Sequence, residues 1–173
     1  DPQSKQKQKA ELDFRSSGQK RRYSWDYDEN FDIYSANIRG ENYQNLTRAL
    51  GYDAEGSISP DGKRVIFASN RHAYSASLST EEKNLLEKDP SFFLDLYVMD
   101  INGDNVRRLT NEPGYDGGPF FSPDGERVVW RRFSKDGTTA EVYTIKTDGS
   151  DIRQITRMNA MSWAPMFHPS GDY

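Results

Sequence analysis

Three unrelated landmarks in this sequence recur in one register. Tyr34, Tyr97 and Tyr143 close the stretches FDIY, LDLY and AEVY. Leu46, Leu109 and Ile155 each precede a threonine, and Pro60, Pro123 and Pro169 sit in SPDG, SPDG and HPSG. In every set the first interval is 63 residues and the second 46, so the basic period is near 46 and the first copy carries 17 extra residues. One register kept by independent motifs marks a tandem repeat, and repeats of this kind bury their apolar faces only by stacking on one another.

Each unit reads as four strands. In the fullest copy, GPFF (118–121) runs into the SPDG turn, where proline presets φ, aspartate bonds back to the backbone and glycine accepts positive φ. RVVWRRF (127–133) follows, then the polar link SKDGTTA, then EVYTIKT (141–147). A tight hairpin at Asp148-Gly149, matched by Asn102-Gly103 in the preceding copy, leads to IRQIT (152–156). Four strands per 40–50 residues is the pattern of a β-propeller blade. The expected fold is therefore all-β: a partial β-propeller of four-stranded antiparallel blades, with one short helix in an inter-strand insertion.

The register sets the expected boundaries. Residues 31–47 form a partial first blade, 54–110 and 117–156 are blades, and 162–173 start a fourth. Propellers close with four to eight blades, so the chain reads as a window of a longer propeller. The remaining blades would come from the parent chain or another chain. The insertion at 72–92 links strands two and three. Within it, STEEKNLLEKDP predicts a helix capped by Ser79 or Thr80, with Glu81 and Glu82 in the first turn, Leu85 and Leu86 inward and Pro90 as the stop. Residues 1–30 form a polar insertion at the equivalent link of the first blade, ending in the aromatics Tyr23, Trp25 and Tyr27. Both insertions share a face with the blade-to-blade links RALGYDAEG, NEPGYDGG and RMNAMSWAP. The SPDG turns lie on the other face.

Composition narrows the function classes. Ten Tyr, nine Phe and three Trp in a chain only 34% hydrophobic suit half-exposed strands. A net charge of −4 does not favour nucleic acid or anionic membranes. No apolar run approaches the roughly 18 residues of a membrane helix. The absence of cysteine excludes disulfides, thiolate zinc sites and cysteine nucleophiles, and fits cytosol or periplasm alike. Only two histidines are present, and neither G-x-S-x-G nor H-E-x-x-H occurs. His72 is expected in an exposed loop and His168 in a turn. The basic residues of KR, ER and RRF are expected on solvated strand edges. DINGDN lacks the sixth-position glycine and twelfth-position acid of a calcium loop and reads as a hairpin. No catalytic residue, metal ligand or cofactor is expected in this segment.

SPDGKRVIFASNR, LDLYVMDINGDNVRRLT and AEVYTIKTDGSDIRQIT resemble the TolB-type propeller repeat, a WD-like S-P-D-G blade of bacterial periplasmic and secreted proteins. The likeness covers about residues 31–173. The third copy departs from it, with His168 and Ser170 for Ser and Asp. The resemblance implies an exported bacterial protein whose propeller is a non-catalytic scaffold for protein or peptide. The alternative is the propeller of a larger hydrolase, prolyl-oligopeptidase-like or zinc aminopeptidase, that gates or orients peptides. In that case this segment would not be the enzyme but its parent chain would be.

Loops on one face of a rigid scaffold are where binding resides. The candidate binding residues are therefore Tyr52, Asp53, Glu55, Tyr115, Asp116 and Trp163, at the mouths of successive inner strands. For the two aspartates, two roles stand open: capping backbone amides where strand one begins, or joining a ring of carboxylates that takes a cation or a basic segment. Exchange of both for Asn is expected to spare folding and weaken binding.

Overall fold

The SPDG turn builds its hairpin through side chains. The Ser59 hydroxyl donates to Asp61 Oδ1 at 2.6 Å and accepts from the Arg64 amide at 2.9 Å, while Asp61 Oδ1 accepts the Lys63 amide. Ser122, Asp124, Glu126 and Arg127 repeat these bonds. Both aspartates are held below the ordinary carboxylate range, first by the serine hydroxyl and then by the amide. In the divergent third copy, His168 Nδ1 accepts the Ser170 amide at 3.2 Å, and the Gly171 amide still reaches the His168 carbonyl. The ring nitrogen bonds two residues on, whereas the serine hydroxyls of the other copies accept the amide five residues on. The link SKDG uses the same device: Ser134 Oγ donates to Asp136 Oδ1 at 2.6 Å and accepts from the Thr139 amide.

The computed structural model describes residues 9–10, 12–14, 16–17 and 27–171. Most of the 1–30 insertion, including Tyr23 and Trp25, and the last two residues lie outside that set. Strands β1 (Tyr34–Ser35) and β2 (Gln44–Asn45) form a two-stranded antiparallel pair. A four-stranded sheet follows: β3 (Asp53–Ile58), β4 (Arg64–Ser69), β5 (Asp95–Asp100) and β6 (Arg107–Arg108). A second one contains β7 (Asp116–Phe121), β8 (Arg127–Phe133), β9 (Ala140–Lys146) and β10 (Arg153–Gln154). All ladders are antiparallel, each strand beside its sequence neighbour. The chain is all-β, a partial β-propeller. Beyond β10, Met161 bridges to Ala140.

The outermost strands are shorter than their sequences predict. Ile155 N–H still reaches the Val142 carbonyl, but the Val142 amide donates to Thr156 Oγ1. A side chain has replaced the ladder carbonyl. Leu96 with Thr110 and Ile33 with Thr47 do the same.

Between Ser69 and Asp95, directly paired across β4 and β5, lie α1 (Arg71–Ser75), α2 (Thr80–Lys88) and a 3-10 turn (Pro90–Phe93). α2 is the expected helix. Ser79 caps it in a capping box with Glu82, and Leu85 and Leu86 are half-buried. α1 was not expected from sequence, and it removes His72 from the exposed loop assigned to it.

The core lies between blades. Val65, Phe67, Tyr97 and Met99 face β1–β2 and pack with Leu46 and Ile33. Ile66, Ala68, Leu96 and Val98 face the following sheet and pack with Phe121, Val128, Trp130 and Ile145. Because the middle sheet is covered on both sides, β4 and β5 show runs of burial instead of alternation. Trp130 is fully buried in this layer. Trp130→Ala should cost about 3–5 kcal/mol, read as a lowered urea midpoint.

Candidate functional site

The strand mouths are fixed by backbone bonds between blades. The Asp53 amide donates to the Phe31 carbonyl at 2.8 Å, Asp116 to Leu94 at 2.9 Å and Ser162 to Ala140 at 2.8 Å. These positions keep the 63- and 46-residue offsets. Asp53 and Asp116 are fully buried, each held by two nitrogens of an arginine. Arg71 Nη2 lies 2.7 Å from Asp53 Oδ2, and Arg132 Nε and Nη2 each lie 2.7 Å from Asp116. The aspartates are therefore ion-paired beneath the mouths. Exchange for Asn would strand a largely buried guanidinium, so its cost falls on folding as well as on any ligand. Asp116→Asn should lower stability by about 3 kcal/mol, measured by chemical denaturation.

A third buried carboxylate, Asp95, lies where β5 begins. Arg108 Nη2 is 2.5 Å from its Oδ2 and His72 Nδ1 3.3 Å, and Thr110 donates from the other side. Burial pushes Asp95 up to about 7, against the pull of Arg108 and with a push from Asp116. Burial and the Arg108 charge push His72 down to about 4.

A cleft of about 710 Å³ opens above the mouths. Tyr52, Glu55, Tyr115 and Trp163 line it, so four of the six candidate residues meet in one space. The insertion supplies Lys88 to Phe92, and the SKDG link supplies Ser134 to Gly137. Aromatic rings share the wall with charged and polar groups: Tyr115 stacks on Phe133 at 5.1 Å, Trp163 meets Phe133 edge-on, and Tyr52 is backed by Phe31 at 5.2 Å.

Arg131 threads this cluster, with its guanidinium 4.4 Å from the Trp163 ring centroid and 5.2 Å from that of Tyr115. It is 6% exposed. The expectation that RRF is solvated is thus corrected for Arg131 and Arg132. Both lie on strand ends folded under the cleft, where carboxylates and aromatic faces replace water.

Glu55 crosses from the middle sheet to the next. Its Oε2 accepts Tyr115 O–H at 2.8 Å and the Gly118 amide at 2.7 Å, and its Oε1 accepts Arg131 Nη2 at 2.7 Å. Burial and the Glu55 charge push the Tyr115 phenol upward, so it remains a donor. Glu55 has φ 55° at a bulge, and Gly118 and Ala164, at matching repeat positions, have φ 60° and 49°. The sequence showed the acid but not the bulge that aims it. The other missed feature was the S-x-D-G spacing of Ser134–Gly137, which was visible in the sequence.

Antiparallel four-stranded units joined mouth to mouth define a TolB-like β-propeller segment. The comparisons agree with that class. No family model matches the chain. A protein assigned as TolB from Agrobacterium tumefaciens superimposes with TM-score 0.60 at 28% identity, covering 82% of this chain and 43% of that one. TolB from Acinetobacter baumannii gives TM-score 0.58 at 20% identity, covering 81% and 30%. Dipeptidyl-peptidase 5 of Porphyromonas endodontalis is 28% identical over 106 residues, which are 61% of this chain and 14% of that protein. The chain thus spans less than half the length of each of these relatives. No helix among the described residues is long and apolar enough to cross a membrane.

The two buried groups give stability a signed pH dependence. Unfolded Asp95 releases its proton near pH 4 and the folded form near 7, so its contribution declines as pH rises through that window. His72 acts oppositely, losing stability as pH falls from 6.5 toward 4. Asp95→Asn should abolish the decline between pH 5 and 7 and keep the acid limb, as followed by urea midpoints across pH.

Proposed function

We propose that this segment is a non-catalytic scaffold that binds a protein or peptide on its insertion-bearing face. The supporting observation is the aromatic cleft, where residues from two blades, the 72–92 insertion and the last inner strand share one wall. Aromatic area supplies affinity at low entropic cost, and fixed polar groups supply orientation. In this reading Tyr52, Glu55, Tyr115 and Trp163 touch the ligand, while Asp53 and Asp116 hold the mouths in shape. Further blades, from the parent chain or another chain, complete the ring. The TolB likeness supports a periplasmic or secreted location.

A second reading is favoured by the dipeptidyl-peptidase 5 likeness: the same face gates or orients peptides for a hydrolase domain elsewhere in a parent chain. Both readings use the cleft, and in both this segment alone turns over no peptide.

A random heptapeptide phage library panned on the protein should return aromatic-rich binders. Their hydrogen-exchange footprint should cover Tyr52, Tyr115 and Trp163. Trp163→Ala, at a site 58% exposed, should cost about 1 kcal/mol of stability through the lost contact with Arg131 and weaken those peptides about tenfold. A footprint on the SPDG turns would overturn the assignment of the face.

A further inference from the structure

Glu55 occupies a site built for a carboxylate, and three donors from the neighbouring blade converge on it. Tyr115 O–H and the Gly118 amide point at Oε2, and Arg131 Nη2 points at Oε1. Arg131 is held in place by a second bond to Tyr115 Oη at 3.0 Å and by the Trp163 ring. Two glycines keep the cradle open. A Cβ on Gly117 would lie 2.4 Å from Glu55 Oε2, and one on Gly118 2.1 Å from Arg131 Nη1. The equivalent positions one blade earlier are Ala54 and Glu55, so the glycines serve this cradle and not the repeat.

The occupant is less firmly set than the cradle. The Glu55 side chain is 29% exposed where that of Arg131 is 7%. Its backbone φ of 55° is the bulge conformation shared with Gly118 and Ala164, and it stays in place when the side chain turns. Glu55 lies on the wall of the cleft, so a rotation carries its carboxylate into solvent. A ligand carboxylate that took its place would meet the same three donors without leaving any of them unpaired.

We propose that this three-donor cradle is a carboxylate subsite of the cleft and that Glu55 is its resident competitor. The ligand is a peptide presenting a carboxylate, terminal or side-chain, next to aromatic residues that stack on Tyr52, Phe133 and Trp163. This rests on the peptide-binding reading above and adds to it both the ligand's charge and an internal gate. Lys88 and Lys135 share the lining with Asp89 and Asp136, so preference for an anion rests on the three donors of the cradle and not on the charge of the surrounding wall.

The test uses three dansyl peptides, Gly-Phe-Tyr-Glu with a free C-terminus, Gly-Phe-Tyr-Gln amide and Gly-Phe-Tyr-Lys amide, titrated by fluorescence anisotropy. Wild type should prefer the acidic peptide. Glu55→Ala should bind it at least tenfold more tightly than wild type does, a gain well above any change for the neutral amide, with Glu55→Gln intermediate. As a second measurement, acetate should raise the melting temperature of Glu55→Ala but not that of wild type. If Glu55→Ala gains nothing for the acidic peptide and acetate does not stabilise it, Glu55 is a fixed latch and the inference fails. An equal gain for the neutral amide means that only space was opened, and the inference fails again. Tightest binding of the lysine peptide overturns the charge assignment while the peptide-binding reading stands. If no peptide binds any variant at millimolar concentration while all remain folded, the peptide-binding reading falls as well.

Discussion

Everything in this structure hangs on the backbone bonds that join the start of each inner strand to the third strand of the blade before it. Asp53 to Phe31, Asp116 to Leu94 and Ser162 to Ala140 are the same bond made three times. They set the separation of successive sheets, and that separation determines which side chains fill the gap. At the start of its third strand each blade carries a carboxylate, buried at Asp95 and half-buried at Asp32 and Glu141. Asp32, Asp95 and Glu141 recur at the repeat offsets, and each accepts the hydroxyl of a threonine that has itself accepted a backbone amide. Within each trio the carboxylate, hydroxyl and amide thus satisfy one another.

The two ends of the strands have different physical characters. At one end, the SPDG turns satisfy their side chains locally, and arginines join the blades through backbone carbonyls, Arg64 to Gly125 and Arg107 to Thr147 and Asp148. At the other, charges are exchanged between blades: Arg131 and Glu55 belong to different sheets, as do the Tyr115 hydroxyl and its acceptor. A group positioned by two bodies at once responds to their relative placement. Polar chemistry and aromatic surface therefore collect at the same end.

Much of the architecture was legible from register alone, because turn residues are dictated locally. Pro60, Gly62, Asp61 and Ser59 act within one turn, and the Ser79–Glu82 box acts within one helical turn. The hairpins and α2 followed from such residues. The site was half legible. Tyr52, Glu55, Tyr115 and Trp163 gather as their repeat positions imply, but Arg131 and Arg132 read as solvent-facing because their partners lie many residues away in sequence. Asp53 and Asp116 were visible as repeated acids, yet their arginines are spaced differently: 18 residues on in one blade and 16 in the other. His72 could not be placed from sequence, since its surroundings are made by Asp95 and Arg108, brought together only by the sheet.

The direct pairing of Ser69 with Asp95 carries a consequence for how such a chain can vary. The polypeptide leaves the sheet and rejoins it at a single rung, so whatever lies between need span no distance. The entropy of closing such an excursion grows only with the logarithm of its length. The rung behaves as a socket: a two-helix segment, a short turn like SKDG or a whole foreign domain can be plugged in while the blade beneath stays the same. New recognition surfaces could thus arise by cassette exchange beside the cleft, with no renegotiation of the core.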